Sequence, residues 1–289
     1  MIRTLQPGDE ERLDHFLRGH ADSSLFLRSN ALAAGLRDEG RPLQATYVAE
    51  VEGEEVVAVV AHGWNGNLLL QARKSVGELS RRAAATTGRL IAGVLGPWGQ
   101  VVAALTELGL SEAATSLRSR EDLFALDLRT LRTPEPLTSG ALTCHRAEAG
   151  NIDLLAGWRR SYRIETLGEL DRPELLVSSR DDITRSQASG GLFVLEEEGR
   201  PVSMCAFNAR HPECVQIGGV WTPPEWRRRG YGRAAVAGAL LLAREEGAAR
   251  SVLFTDEENV AARTAYLSLG YQLIGDYGLV LFRDAQKPS

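Results

Sequence analysis

The chain has 289 residues, of which 44% are hydrophobic and 25% charged, with a formal net charge of −5. That is enough apolar material for one or two buried cores. The acidic balance argues against a generally nucleic-acid-binding surface, though not against a local basic patch.

Ile2 to Leu5 reads as a strand, with helical material after it to about Leu36. Apolar runs rich in β-branched residues predict strands near Thr46 to Glu50, Glu55 to His62 and Leu68 to Gln71. A helix over Ser75 to Thr86, a strand over Leu90 to Leu95, a helix over Trp98 to Leu108 and a strand over Leu123 to Leu128 follow. Thr133-Pro-Glu-Pro-Leu-Thr-Ser-Gly140 is rich in proline and small polar residues, which predicts a non-helical linker. It divides the chain into domains 1–132 and 141–289. Beyond it, Ala141 to Arg146 is a strand, Asn151 caps a helix to about Leu167, and a second helix spans Pro173 to Gln187. Leu192 to Glu196 and Val202 to Ala209 form a hairpin around Glu198-Gly199-Arg200, with the acidic run Glu196 to Glu198 at its tip. Val215 to Thr222 is a third strand, and Gly230 to Glu246 a helix ended by Gly247. Ser251 to Thr255 is a strand, Asn259 to Leu269 a helix closed by Gly270, and Tyr271 to Ile274 and Leu279 to Phe282 are two last strands. The two halves share one element order without obvious residue identity. The expected class is α/β, a mixed sheet flanked by helices, in two tandem copies.

The most informative stretch is Val220-Trp-Thr-Pro-Pro-Glu-Trp-Arg-Arg-Arg-Gly-Tyr-Gly-Arg233. A strand enters a glycine-bearing turn, and a long apolar helix leaves it. The first N–H groups of a helix lack intrahelical partners, and the helix dipole adds positive charge there. A phosphate docked at that end satisfies both. Gly230 and Gly232 permit close backbone approach. Arg227, Arg228, Arg229 and Arg233 bring charge that can pair with phosphate oxygens. A solvated basic turn or a nucleic-acid contact would give the same arginine run. The first half has Ala72-Arg-Lys-Ser-Val-Gly-Glu78 at the corresponding place, with no paired glycines before its helix. It is expected to lack the phosphate cradle and to be structural or substrate-shaping.

Arg227-x-x-Gly230-x-Gly232 resembles the Gln/Arg-x-x-Gly-x-Gly/Ala turn of the GNAT N-acetyltransferases. Asn259-x-x-Ala262-x-x-x-Tyr266-x-x-x-Gly270-Tyr271 resembles that family's second cofactor motif, in the expected order. The resemblance covers residues 141–289, with the first half a diverged copy. It implies acetyl-coenzyme A as donor and a primary amine of a small-molecule or amino-acid-like acceptor. It also implies a sheet split near the motif, so that the pantetheine arm enters the gap. Backbone groups of Val220 and Thr222, either side of Trp221, would pair with that arm like an added strand. The N–H groups from Arg228 through Tyr231 to Arg233 would cradle the pyrophosphate, and Asn259 with Ala262 would meet the cofactor arm.

Acetyl transfer needs a neutral amine, hydrogen bonds to the developing oxyanion and a proton for the departing thiolate. Tyr266 suits the last role, although a core tyrosine on an amphipathic helix would look the same. Glu165 and Glu213 are the candidate bases; either could be a solvated surface carboxylate, and a water chain could carry the proton instead. Trp158, Tyr162 and Glu165 have helical spacing and form either one acceptor-facing surface or ordinary packing. Cys144, Cys205 and Cys214 show no C-x-x-C pairing, so neither metal nor disulfide framework is expected. No apolar signal region and no apolar run of membrane-spanning length occur, which predicts a cytoplasmic protein without nucleic-acid or membrane partners. Other tandem acyl transfer (mycothiol-synthase-like), protein acetylation and a non-catalytic acyl-coenzyme A sensor are the alternatives. The acceptor, the acyl-chain preference and a homodimer stay open.

Overall fold

The computed structural model describes residues 1–287. The elements in chain order are β1 (Ile2–Thr4), α1 (Glu10–Arg18), α2 (Leu25–Ala34), β2 (Ala45–Glu52), β3 (Glu55–Gly63), β4 (Asn67–Gln71), α3 (Val76–Thr87), β5 (Ile91–Gly96), α4 (Trp98–Glu107) and β6 (Thr115–Asp127). Then come α5 (Glu135–Thr138), β7 (Leu142–Arg146), α6 (Ile152–Leu167), α7 (Pro173–Ala188), β8 (Leu192–Glu197), β9 (Arg200–His211), β10 (Cys214–Trp221), α8 (Tyr231–Glu245), β11 (Arg250–Asp256), α9 (Val260–Leu269) and β12 (Gln272–Gln286). They form two compact units, one of Met1–Leu123 with the segment from Gly275 onward, the other of Phe124–Ile274.

In the first unit the strand order is β1-β2-β3-β4-β5-β12-β6. β1 to β4 pair antiparallel, β4 and β5 parallel, and β5 and β12 antiparallel. The near-continuous apolar runs of β3 and β4 follow from burial on both faces. One core gathers Val48, Val60, Leu70, Leu79, Val101, Leu105 and Val280.

In the second unit the order is β6-β11-β10-β9-β8-β7, with β10 and β11 parallel and β7 to β10 antiparallel. Strand alternation sends Phe193, Cys205, Phe207, Val215 and Ile217 to a core with α8 and α9. Val194, Met204 and Trp221 go to another core with Leu155 of α6 and Ile183 of α7. Alanine spacing on α8 brings it close to the sheet, where the Cys144 and Cys205 thiols both lie on the Ala235 carbonyl, at 3.7 and 3.4 Å. Burial pushes the Cys144 thiol up to about 12 and the Cys205 thiol well above its usual value, so both act as packing groups.

Three expectations are corrected. The stretch 133–140 contains one helical turn, α5, whose proline at the first turn lacks only a donor that has no partner there anyway; Leu137 packs on the core. The units divide inside β6 and β12, at Leu123/Phe124 and Ile274/Gly275, whereas the sequence placed one boundary in that stretch. The two expected last strands are one, β12. Gly278 does not break it: a Cβ there would stand 2.9 Å from Trp98 and Val101, so the glycine admits α4 close to the strand. Residues 288–289, at the expected end of the second domain, lie outside the described residues.

Candidate functional site

β10 is paired to β11 through Cys214–Gln216 against Arg250–Val252. The ladder stops there among the described residues, although the strands continue to Trp221 and Asp256. On the other side, β10 advances three residues from Gly218 to Trp221 while β9 retreats two, from Ala206 to Met204. The extra residue is a bulge at Gly219–Val220, with Gly219 at φ 58°. A bulge bends the strand that carries it and raises its twist. Here it does so just where β10 has parted from β11, leaving an open strand edge of the kind an extended ligand can join. A Cβ on Gly218 would meet the Asn208 amide, which would have to swing aside.

Pro223 and Pro224 end the strand where donors are no longer needed, and a single 3-10 turn covers Pro224–Trp226. Arg228 (φ 64°) and Gly230 (φ 82°) both take left-handed backbone. Gly230 is the N-cap of α8, and no side chain caps that helix. The Ala234 N–H is the one that bonds the Gly230 carbonyl, at 3.0 Å, so the N–H groups of Tyr231, Gly232 and Arg233 precede the helical ladder. A Cβ on Gly232 would meet only Thr222 Oγ1 at 3.4 Å and Val220 Cγ1 at 3.6 Å. Packing therefore does not demand this glycine; its bare backbone keeps the helix end open. The buried Nε of Arg233 has no partner among the described residues.

The arginine run divides. Arg227 forks onto Glu165 with both contacts at 2.9 Å, donates from Nε to the Thr222 carbonyl at 3.0 Å and lies 4.8 Å over the Trp221 ring. It ties the turn to the end of α6. Arg229 and Arg200 lie over the Trp226 ring at 5.0 and 4.5 Å, and Arg228 is exposed. The Tyr231 side chain turns into the core and donates its hydroxyl to Glu197 at 2.7 Å, so it offers the cradle its N–H alone. Burial, with Glu197 beside it, raises that phenol above its ordinary value. The Thr222 hydroxyl meets Ser203 Oγ at 2.9 Å, and Ser203 also donates to the Trp221 carbonyl.

Asn259 is the N-cap of α9, its Oδ1 accepting from the Ala262 N–H at 3.1 Å. The Asn-x-x-Ala spacing is thus a capping pattern. Tyr266 is 8% exposed, with ring centroids of Phe124 and Tyr271 at 6.4 and 5.9 Å. Of the two carboxylates, Glu165 lies at the turn but is held by Arg227. Glu213 is not brought to the site. It precedes β10 at the end opposite Trp221, more than ~20 Å from that residue along the strand at ~3.3 Å per residue. Its carbonyl serves Ala249 and Arg250 instead.

Tyr162 and Trp158 pack with Trp221 against the sheet, the Tyr162 ring edge-on to Trp221 at 6.5 Å. Sequence reasoning missed Arg159 between them, whose Nη1 lies 3.8 Å from where a Gly219 Cβ would be. It also missed Gln216, buried on β10 with Nε2 unpaired among the described residues. The Gly218-Gly219 pair in mid-strand was the available signal for a bulge. Among the described residues no cluster could hold a metal ion, and no helix is long and apolar enough to cross a membrane.

Residues 154–271 match the family model described as "Acetyltransferase (GNAT) family". No curated protein matches the sequence. Among solved structures, a Drosophila protein is similar at TM-score 0.67 and 14% identity, covering 97% of this chain and 98% of its own. A GCN5-related N-acetyltransferase from Sphaerobacter thermophilus is similar at TM-score 0.55 and 15% identity, covering 99% and 97%. A tandem GNAT protein from the clavulanic acid biosynthesis pathway is similar at TM-score 0.53 and 14% identity, covering 100% and 99%.

Proposed function

We propose that the protein transfers an acetyl group from acetyl-coenzyme A to a primary amine of a small molecule, a reading supported by the match of residues 154–271 to the GNAT acetyltransferase family model. The observation that carries this reading is the uncapped, left-handed start of α8 beside the open edge of β10. The fit to coenzyme A rests on this chain's own groups. The N–H groups of Tyr231, Gly232 and Arg233, with the unpaired Arg233 Nε, suit a pyrophosphate. The edge of β10 at Val220 and Thr222 suits the pantetheine amides, and Asn259 keeps its amide N–H groups for the same arm.

Acetyl-coenzyme A bound there supplies an activated acyl group as a thioester. The bulge N–H groups of β10 are the donors assigned to the developing oxyanion in this reading. The Tyr266 hydroxyl would serve as the proton donor to the departing sulfur. Glu165 is committed to Arg227 and Glu213 is remote, so the acceptor's proton leaves through water. The Phe124–Ile274 unit alone holds the coenzyme.

Calorimetric titration with acetyl-coenzyme A, followed by an amine screen reading thiol release, tests the proposal. Binding at one site per chain and amine-dependent thiol release are expected. Absence of both overturns it; binding without release for any amine assigns the fold to sensing.

A further inference from the structure

Beside the bulge stands a cation, Arg159, whose carboxylate partner is distant and shared. Arg159 on α6 places Nη1 3.8 Å from the Cβ position of Gly219, within the bulge itself. Its guanidinium rests 5.2 Å over the Tyr162 ring, and its side chain is 24% exposed. Its carboxylate contact is Asp182, at 3.4 Å from both Nε and Nη2, longer than a charge-assisted bond prefers. Asp182 is itself shared: Arg185 reaches it at 2.5 Å and Arg163 at 3.6 Å. Arg163 has its own fork onto Glu169, at 2.8 and 2.7 Å. Three guanidinium groups thus face two carboxylates, and Arg159 holds the weakest contacts of the three. The other carboxylate at this level, Glu165, is taken by Arg227.

Resting on the acetyltransferase reading, we propose that the acceptor is an amine that also carries a carboxylate, and that Arg159 binds this group. A guanidinium presents parallel donors that match a carboxylate, and at a partly desolvated position beside an aromatic ring such a pair discriminates strongly. The acceptor's carboxylate replaces the long Asp182 contact, and its amino group is directed to the bulge at Gly219.

The test uses the full chain, acetyl-coenzyme A and matched acceptors: α-amino acids, their amides, and aminoalkyl phosphates. The acid is expected to be preferred over its amide by about 10- to 100-fold in kcat/KM, the worth of one charged hydrogen-bonded contact. Arg159→Gln removes the preference mainly through KM while coenzyme affinity stays within about twofold, and Arg159→Lys restores part of it. Equal use of acid and amide by the natural protein overturns the proposal without any variant. So does a preference that survives Arg159→Gln, or a preference for the phosphate. If acetyl-coenzyme A does not bind in calorimetry, the acetyltransferase reading falls and this one with it. If it binds and only amines without an anionic group are acetylated, this inference alone falls.

Discussion

The starts of α3 and α8 have the same backbone and opposite uses. Each helix follows a strand and is capped by a left-handed residue, Ser75 at φ 55° and Gly230 at φ 82°. Each has glycine two positions later, Gly77 and Gly232. Yet a Cβ on Gly77 would collide with the Glu107 side chain, whereas one on Gly232 would make ordinary contacts. Glu107, held by Arg81 through its carbonyl at 2.7 Å and its carboxylate at 3.3 Å, brings an internal negative charge to the end of α3. A carboxylate is favoured there for the reason a phosphate would be. The first unit fills its helix start with a side chain of its own, whereas the start of α8 has no side-chain cap. The next helix differs in the same sense. Counted from the cap, Asn259 and Tyr266 of α9 correspond to Pro97 and Ala104 of α4, which lack the capping side chain and the phenol.

Four sets of substitutions separate the two helix starts. Tyr266→Phe should lower kcat about 100-fold, the usual worth of a general acid, with coenzyme affinity within about twofold; unchanged turnover in a steady-state assay removes the phenol from the chemistry. Gly230→Glu should weaken coenzyme binding by about 30-fold or more, through left-handed strain and a charge beside the phosphates. Ser75→Glu, at the matching position, should leave that affinity unchanged; equal losses in calorimetry would show that both units bind the coenzyme. Gly77→Ala should cost about 1–3 kcal/mol by overpacking against Glu107, seen as a lower denaturation midpoint. Gly232→Ala should not lower that midpoint, but it should weaken coenzyme binding. Glu165→Gln should change kcat by no more than about threefold, because its carboxylate already serves Arg227 and an exposed pair contributes little; a loss above tenfold with a shifted pH–rate profile would restore it as the base.

The sequence by itself determined the order of elements, the tandem repeat, the strand–turn–helix at 220–233 and the Asn259–Tyr266 pattern. These are local: apolar period, left-handed glycines, a capping side chain and a proline stop act within a few residues. It also misread local signals whose meaning lies elsewhere. Tyr271 to Ile274 and Leu279 to Phe282 read as two strands where β12 runs through, with Gly278 admitting α4, and Pro134 and Pro136 suggested a linker where one helical turn docks. Only the tertiary structure decided that β6 and β12 each pass from one compact unit to the other, that Glu107 lies under Gly77, that Arg227 takes Glu165, and that Arg159 stands over Gly219. Each joins residues tens of positions apart. Which such pairs meet depends on how bulges, twist and helix packing shape the sheet, and that shape is a property of the whole fold rather than of any window of sequence.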